Sequence, residues 1–452
     1  MDRRFVPLPA VVLALGACVA TDRNFTEPVN IDAQLRQAIG AYGVVPIAAQ
    51  PVQDSALVAL GRALFFDREL SGNRDVACAS CHEMTTNAVD GLSLSVGTGG
   101  SGVGASRTLG AGRVFAARNA PSMLNIGIGL NYTLWDGRVN QFGTGTINAP
   151  LGVVFPSGLS NVLAAQAMLP VLNRVEMRGN AGDHDINGNV NELAAATDTV
   201  AGVWSGIMKR LLAIQAYTGK FAAAYPFVPA SSLGFQHAAN AIAAFEIQSF
   251  MRTNSAFDRY LARDNGALTD EQKEGAILFF GKAQCSSCHS GALLGGQQFA
   301  NIGVPQIGPG VGKAAPLDKG RGEQQTPPNT FYDFAFRVPP LRNVELTAPY
   351  MHDGAYPTLE AVLRHYTNPD SAQRHYDVTQ LAPEVRSSYH GDQATIAAVL
   401  TTLDGRFRQG GIKLDANEQR QIIAFLKSLT DPAAKNLASV IPGAVPSGLP
   451  IR

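Results

Sequence analysis

Leu57, Leu60, Leu64 and Phe65 follow Ser55 at i, i+3 and i+4 spacing, an apolar stripe that predicts an amphipathic helix. Helical patterns return over 159–172, 203–224 and 235–262. Arg263-Asp264-Asn265-Gly266 then signals a turn, and Leu268-Thr269-Asp270-Glu271 opens the next helix with a cap. A boundary at 265/266 therefore divides the chain into domains over 55–265 and 266–431. A last amphipathic helix is predicted over 415–430. Residues 91–112, with Gly97, Gly99, Gly100, Gly102 and Gly104, are too glycine-rich for a helix, and 303–330 is a Gly/Pro/Lys-rich loop. Residues 19–54 lack a strong period and read as a linker or N-terminal extension. Residues 432–452, punctuated by Pro442, Pro446 and Pro450, read as an unpacked tail. Strand-like alternation is scarce, so the fold class is mainly α.

The chain also repeats itself. Gly61-x-x-Leu64-Phe65-Phe66 precedes Cys78-Ala79-Ser80-Cys81-His82, and Gly275-x-x-Leu278-Phe279-Phe280 precedes Cys285-Ser286-Ser287-Cys288-His289. Two related domains, each carrying one site, is the economical reading, and 452 residues suffice for both. Lys+Arg 36 against Asp+Glu 36 gives zero net charge, without the basic footprint of a nucleic-acid binder. Four of the five cysteines lie in the two Cys-x-x-Cys-His motifs, the pattern of c-type haem attachment. Two thiols three residues apart reach the two vinyl groups of one porphyrin, and the adjacent imidazole meets the iron from one face. A zinc ribbon wants its cysteine pairs about 15–20 residues apart, but the second motif begins 207 residues after the first. A thioredoxin-like pair has no use for the histidine.

The N-terminus suggests export. Arg3 and Arg4 precede an apolar run, Phe5 to Ala17, that is too short to span a bilayer and is broken by Pro7 and Pro9. Leu15-Gly16-Ala17-Cys18 resembles a lipoprotein signal over residues 1–18, with Cys18 as the lipid-anchored residue. Plain secretion with cleavage near Ala20, or a buried apolar strand, are the other readings. Either export route leads to the periplasm, where c-type haem is attached.

A carrier closes the far face of each iron with Met or His, whereas a catalyst leaves it open under polar groups. Several segments bear on this. They are Leu64-Phe65-Phe66-Asp67 with Leu70-Ser71-Gly72, Arg118-Asn119-x-Pro121-Ser122, Trp135-Asp136-Gly137-Arg138 and Val175-Glu176-Met177. They continue with Val338-Pro339-x-Leu341-Arg342-Asn343-Val344 and Thr347-Ala348-Pro349-Tyr350-Met351-His352-Asp353-Gly354. With both haem motifs, this ordered set resembles the bacterial di-haem cytochrome c peroxidases over about residues 55–430. Their relatives include the di-haem enzyme that matures a tryptophylquinone cofactor.

The resemblance implies two c-type haem domains packed around an interdomain cleft. It makes the haem at Cys78, Cys81 and His82 the peroxide-reactive one, and the haem at Cys285, Cys288 and His289 the electron-transfer one. Gln166 and Glu176 match the distal-pocket pair, where a carboxyl can take a proton from H2O2 and return it to the leaving oxygen. Trp135 matches the tryptophan that relays electrons between the haems. Asn119, Thr347 and Pro349 match an interdomain Ca2+ site built from oxygens suited to a hard cation. The far ligand of the second iron falls fourteen residues beyond His352, at Tyr366, as in the tryptophylquinone-maturing branch. His365 or Met351 as ligand, and Tyr366 as a packed helix residue, stay open. A phenolate favours oxidised iron; a thioether favours ferrous iron.

This chain departs from the family in three places. Ser95-Val96-Gly97-Thr98-Gly99 stands where peroxidases that need reductive activation keep a loop histidine, and no histidine occurs between His82 and His184. About twenty extra residues lie near 139–160. Asp183-His184-Asp185-Ile186-Asn187-Gly188 starts like an EF-hand loop, but Ala194 replaces the bidentate Glu at position twelve, which leaves a polar turn as the other reading. The expected function is reduction of H2O2 with electrons from a small c-type cytochrome or similar redox protein. The alternatives are a peroxide-driven oxidase acting on a partner protein by long-range radical transfer, and a di-haem electron carrier. A homodimer is one assembly that stays open.

Overall fold

A computed structural model of the chain describes residues 30–195, 199–325 and 327–451. The lipoprotein-signal reading of residues 1–18, Cys18 included, lies outside the described residues. The described residues are mainly helical, with two short antiparallel strand pairs, the first a hairpin. Tyr132–Thr133 pairs with Val139–Asn140, and Phe299–Ala300 with Phe336–Arg337. Among the described residues no helix is long and apolar enough to cross a membrane.

The sequence repeat is a repeated helix crossing. Helix Ser55–Phe66 starts at Asp54, whose carboxylate accepts the backbone N–H groups of Ala56 and Leu57 (2.9 and 3.0 Å). It packs across helix Phe235–Phe250. Helix Asp270–Phe280, capped by Thr269 with Gln272, packs across helix Ala416–Ser428 in the same way. The closest approach in each crossing is a glycine. A Cβ on Gly61 would lie 1.9 Å from the Ala241 carbonyl oxygen, and one on Gly275 1.8 Å from that of Gln421. One turn further along the partner helix, Phe245 meets Phe65 (5.3 Å between centroids) and Phe425 meets Phe279 (5.2 Å). Each buried phenylalanine contributes about 1.5–3 kcal/mol. Phe65 and Phe279 also stand 6.4 Å from the His82 and His289 rings, so each crossing sets the floor of its motif.

The longer patterns break where backbone chemistry requires it. The 159–172 pattern yields helix Val162–Ala167 and, at Pro170, a separate turn. The 203–224 pattern becomes Val200–Ala213 and Gln215–Ala224, and 235–262 becomes Phe235–Phe250 and Ala256–Leu261.

Three expectations need correction. Residues 31–41 of the supposed linker form a helix capped by Asn30, and Leu35 and Ile39 are buried with Phe279, Phe280 and Phe425 in the second core. Phe257 and Tyr260 also belong to that core, so the cores part in 251–255 rather than at 265/266. Residues 432–451 are packed, with Ala434, Leu437 and Val445 buried in the first core. Arg62 donates to the carbonyls of Val440 and Ile441 (both 2.8 Å), and Asp67 accepts from the hydroxyls of Tyr217 (2.7 Å) and Ser447 (2.6 Å). The prolines leave only the short helical turns Pro432–Lys435 and Ala438–Val440 there, and the side chains are still free to bury.

Candidate active site

Cys78 to Cys81 occupy one helical turn, and Cys285 to Ser287 one tighter turn. Burial pushes the thiols of Cys78 and Cys285 up to about 12. Burial lowers both histidines to about 4, which keeps the imidazoles neutral. His289 Nδ1 lies 3.0 Å from the Leu294 carbonyl oxygen, the bond that fixes the tautomer and leaves Nε2 for an iron. At His82 the equivalent influence comes from the Ala88 backbone, outside hydrogen-bond geometry.

A cavity of about 480 Å³ joins the two halves, within the range of cofactor sites. Cys285, Cys288, His289 and Tyr366 line one end, and Trp135 and Gln166 line the side toward the first core. The Gln166 amide oxygen is buried without a partner. This donor set and the volume fit a haem on the second motif.

Trp135 sits at the bend of the first hairpin and donates its indole N–H to the Asn119 carbonyl (2.9 Å). Behind it Asp136 is fully buried between Arg118 (2.6 Å) and Arg138 (2.7 Å), and Arg118 also pairs with Asp318 (2.6 Å). Asn119, Thr347 and Pro349 border the same cavity. Asn119 donates its side-chain amide to the Leu92 carbonyl (2.7 Å) and Thr347 its hydroxyl to that of Val344 (3.1 Å). Among the described residues no cluster of three His, Cys, Asp or Glu side chains could hold a metal. A cation here would rest on neutral oxygens.

Tyr366 projects from helix Leu359–Thr367 into the cavity, and burial raises its phenol above the ordinary range while Arg406 opposes the shift. Met351 lines the cavity too. His365 is excluded as a ligand because both ring nitrogens are engaged, Nδ1 with the Tyr356 hydroxyl (2.8 Å) and Nε2 with the Ile302 carbonyl (2.7 Å).

Glu176 lies off that cavity, on the π-helical turn Arg174–Arg178, where its charge acts on the Cys81 thiol. Desolvation raises its carboxyl above the usual range, against the opposing pull of Arg138, Arg118 and a 2.7 Å bond from the Asn173 amide. The loop that lacks a histidine lies directly on this turn. A Cβ on Gly97 would fall 2.1 Å from the Val175 carbonyl oxygen, and Thr98 N–H donates to the Glu176 carbonyl (3.0 Å). The Thr98 hydroxyl donates to Asp75 (3.0 Å). Arg107 donates to the carbonyls of Val96 (2.7 Å) and Gly97 (2.9 Å).

The sequence reading missed Asp75 and Arg107, whose partners lie 10 to 24 residues away. It also missed two carboxyls beside the first motif. Burial pushes Asp90 up to about 6 and Glu246 up to about 8. The EF-hand-like segment is a polar turn. Asp185 accepts from the N–H groups of Asn187 and Asn189 and pairs with Arg74 (2.5 Å), and Asp183 pairs with Arg113 (2.8 Å).

Two Cys-x-x-Cys-His turns on repeated helix crossings, the second opening on this cavity, place the chain in the c-type haem class. Residues 55–266 match the family model described as di-haem cytochrome c peroxidase. The chain is 29% identical to methylamine utilization protein MauG of Methylorubrum extorquens, over 95% of this chain and 93% of that protein. It is 28% identical to cytochrome c551 peroxidase of Pseudomonas aeruginosa, over 87% and 92% respectively. Among solved structures, a MauG-like protein associated with microbial copper homeostasis superposes with a TM-score of 0.59 at 25% identity, covering 89% of this chain and 97% of that one. Residues 55–266 belong to the di-haem cytochrome c peroxidase family, and the chain, similar to enzymes of that kind over most of its length, is an oxidoreductase.

Proposed function

We propose that this protein reduces H2O2 to water at the first motif, with two electrons and two protons per peroxide. The electrons come from a small c-type cytochrome through the second motif and Trp135. The haems supply the redox chemistry when bound. Glu176 takes the proton from one peroxide oxygen and returns it to the leaving one, and Gln166 orients the peroxide. The observation that carries this reading is the Ser95–Gly99 loop, which packs on the Glu176 turn and brings no histidine with it. The site then needs no reductive opening. Stopped-flow mixing of the diferric protein with H2O2, with and without reduced cytochrome c, tests it. We expect a high-spin haem before mixing and reaction without prior reduction. An all-low-spin spectrum with no reaction until an electron is added overturns it.

Tyr366 favours a second reading, in which the oxidising equivalents are passed to a residue of a partner protein. A phenolate ligand stabilises oxidised iron at the second motif and disfavours ready uptake of electrons from a high-potential donor. Tyr366→Phe is expected to shift both the visible spectrum and the reduction potential of the second haem. If both stay unchanged, Tyr366 is a packed helix residue. We further propose Ca2+ at Asn119, Thr347 and Pro349, and export to the periplasm with acylation at Cys18.

A further inference from the structure

Arg337 is buried, at 6% exposure, on the wall of the cavity that carries the second motif. Its backbone N–H donates to the Trp135 carbonyl (2.7 Å) and its Nε to the Leu134 carbonyl (2.9 Å), so the guanidinium is fixed beside the tryptophan. Nη1 is buried without a partner. The carboxylate that acts on this group is Asp136, already shared by Arg118 and Arg138. Four guanidinium groups gather here, since Arg321 donates to the Asp136 and Gly137 carbonyls; among the described residues the carboxylates in ion pairs with them are Asp136 and Asp318, and Glu176 acts on Arg118 and Arg138 from further off. A buried cation in excess calls for an anion. Arg342, on the same wall, has its own: Asp258 at 2.7 Å.

We propose that Arg337 binds a propionate carboxylate of the haem attached to Cys285 and Cys288. A porphyrin carries its propionates on the two pyrroles opposite the thioether-bearing pair. Arg406, bonded to Ser287 inside the motif, stands at the thioether edge and is already paired with Asp404 (2.7 Å), so it is not the partner. Arg337 lies deeper, next to Trp135. The pairing seats the haem carboxylate against the tryptophan and neutralises its charge. The inference rests on haem attachment at the second motif and not on the peroxide chemistry.

The test is spectroelectrochemical titration of the full-length holoprotein, with haem content counted alongside. The second haem is assigned by its absence from Cys285→Ala. Removing the cation favours the ferric form. In Arg337→Gln the oxidised-to-reduced ratio at the wild-type midpoint should therefore rise about tenfold, ~59 mV for one electron. Arg337→Lys should restore most of the shift. An unchanged midpoint in Arg337→Gln, or a Lys variant shifted as far as the Gln variant, overturns the proposal. If Arg337→Gln fails to hold the second haem, Arg337→Lys decides: normal loading and midpoint support the pairing, and loss of haem there too overturns it. Peroxide turnover does not enter this measurement, so a failed peroxidase reading would leave the result interpretable.

Discussion

Replacing Cys78 or Cys285 with alanine is expected to reduce the covalent haem count from two per chain to one. Each motif stands on its own helix crossing, with its own glycine contact and its own phenylalanine floor. Loss of one site therefore leaves the other's framework in place. A pyridine haemochrome assay on the wild-type chain should give two c haems that resist extraction with acidic acetone. A wild-type count of one, or extractable haem, would refute the reading of the repeat as two equivalent centres. Both variants together should give none.

Glu176→Gln should slow the reaction with H2O2 by about 10²- to 10⁴-fold, the usual worth of a positioned acid–base group, while the haem spectra stay close to wild type. Asn173 and the Thr98 backbone hold the Glu176 turn through atoms that the substitution keeps, so the amide should occupy the same place. The pH profile provides a second readout. Burial raises this carboxyl, and the proton-accepting form is the carboxylate. The wild-type rate should fall as pH drops through a value above the ordinary glutamate range, and that acid limb should vanish in the Gln variant. Unchanged turnover would remove Glu176 from the mechanism.

What the sequence could reveal depended on how far apart the interacting residues lie in the chain. The haem motifs and the Gly-x-x-Leu-Phe-Phe stretches are local patterns, and the structure places them in matched crossings. Glu176 and Trp135 were singled out through short motifs. Arg107, Asp75 and Arg337 were not, because an arginine's work is defined by the carbonyl or carboxylate it meets, here across 10 to 203 residues. The helix at 31–41 escaped notice although Ile31, Leu35, Ala38 and Ile39 keep helical spacing, because one short stripe among polar residues is a weak signal. Composition misled at the other end. Prolines in 432–451 were read as loose chain, although Ala434, Leu437 and Val445 between them are buried.

The first helix is seated on the second core, and the last residues are seated on the first. The polypeptide thus closes like a clasp, each end fastened to the opposite half. A ribosome releases the segment that completes the first core only after the whole second half has been made. In the order of synthesis, the thiols of Cys78 and Cys81 emerge long before the hydroxyl of Ser447 can reach Asp67. Cutting the gene at 265/266 would give two fragments, each missing a piece carried by the other. Co-expression of such fragments should rescue what neither achieves alone.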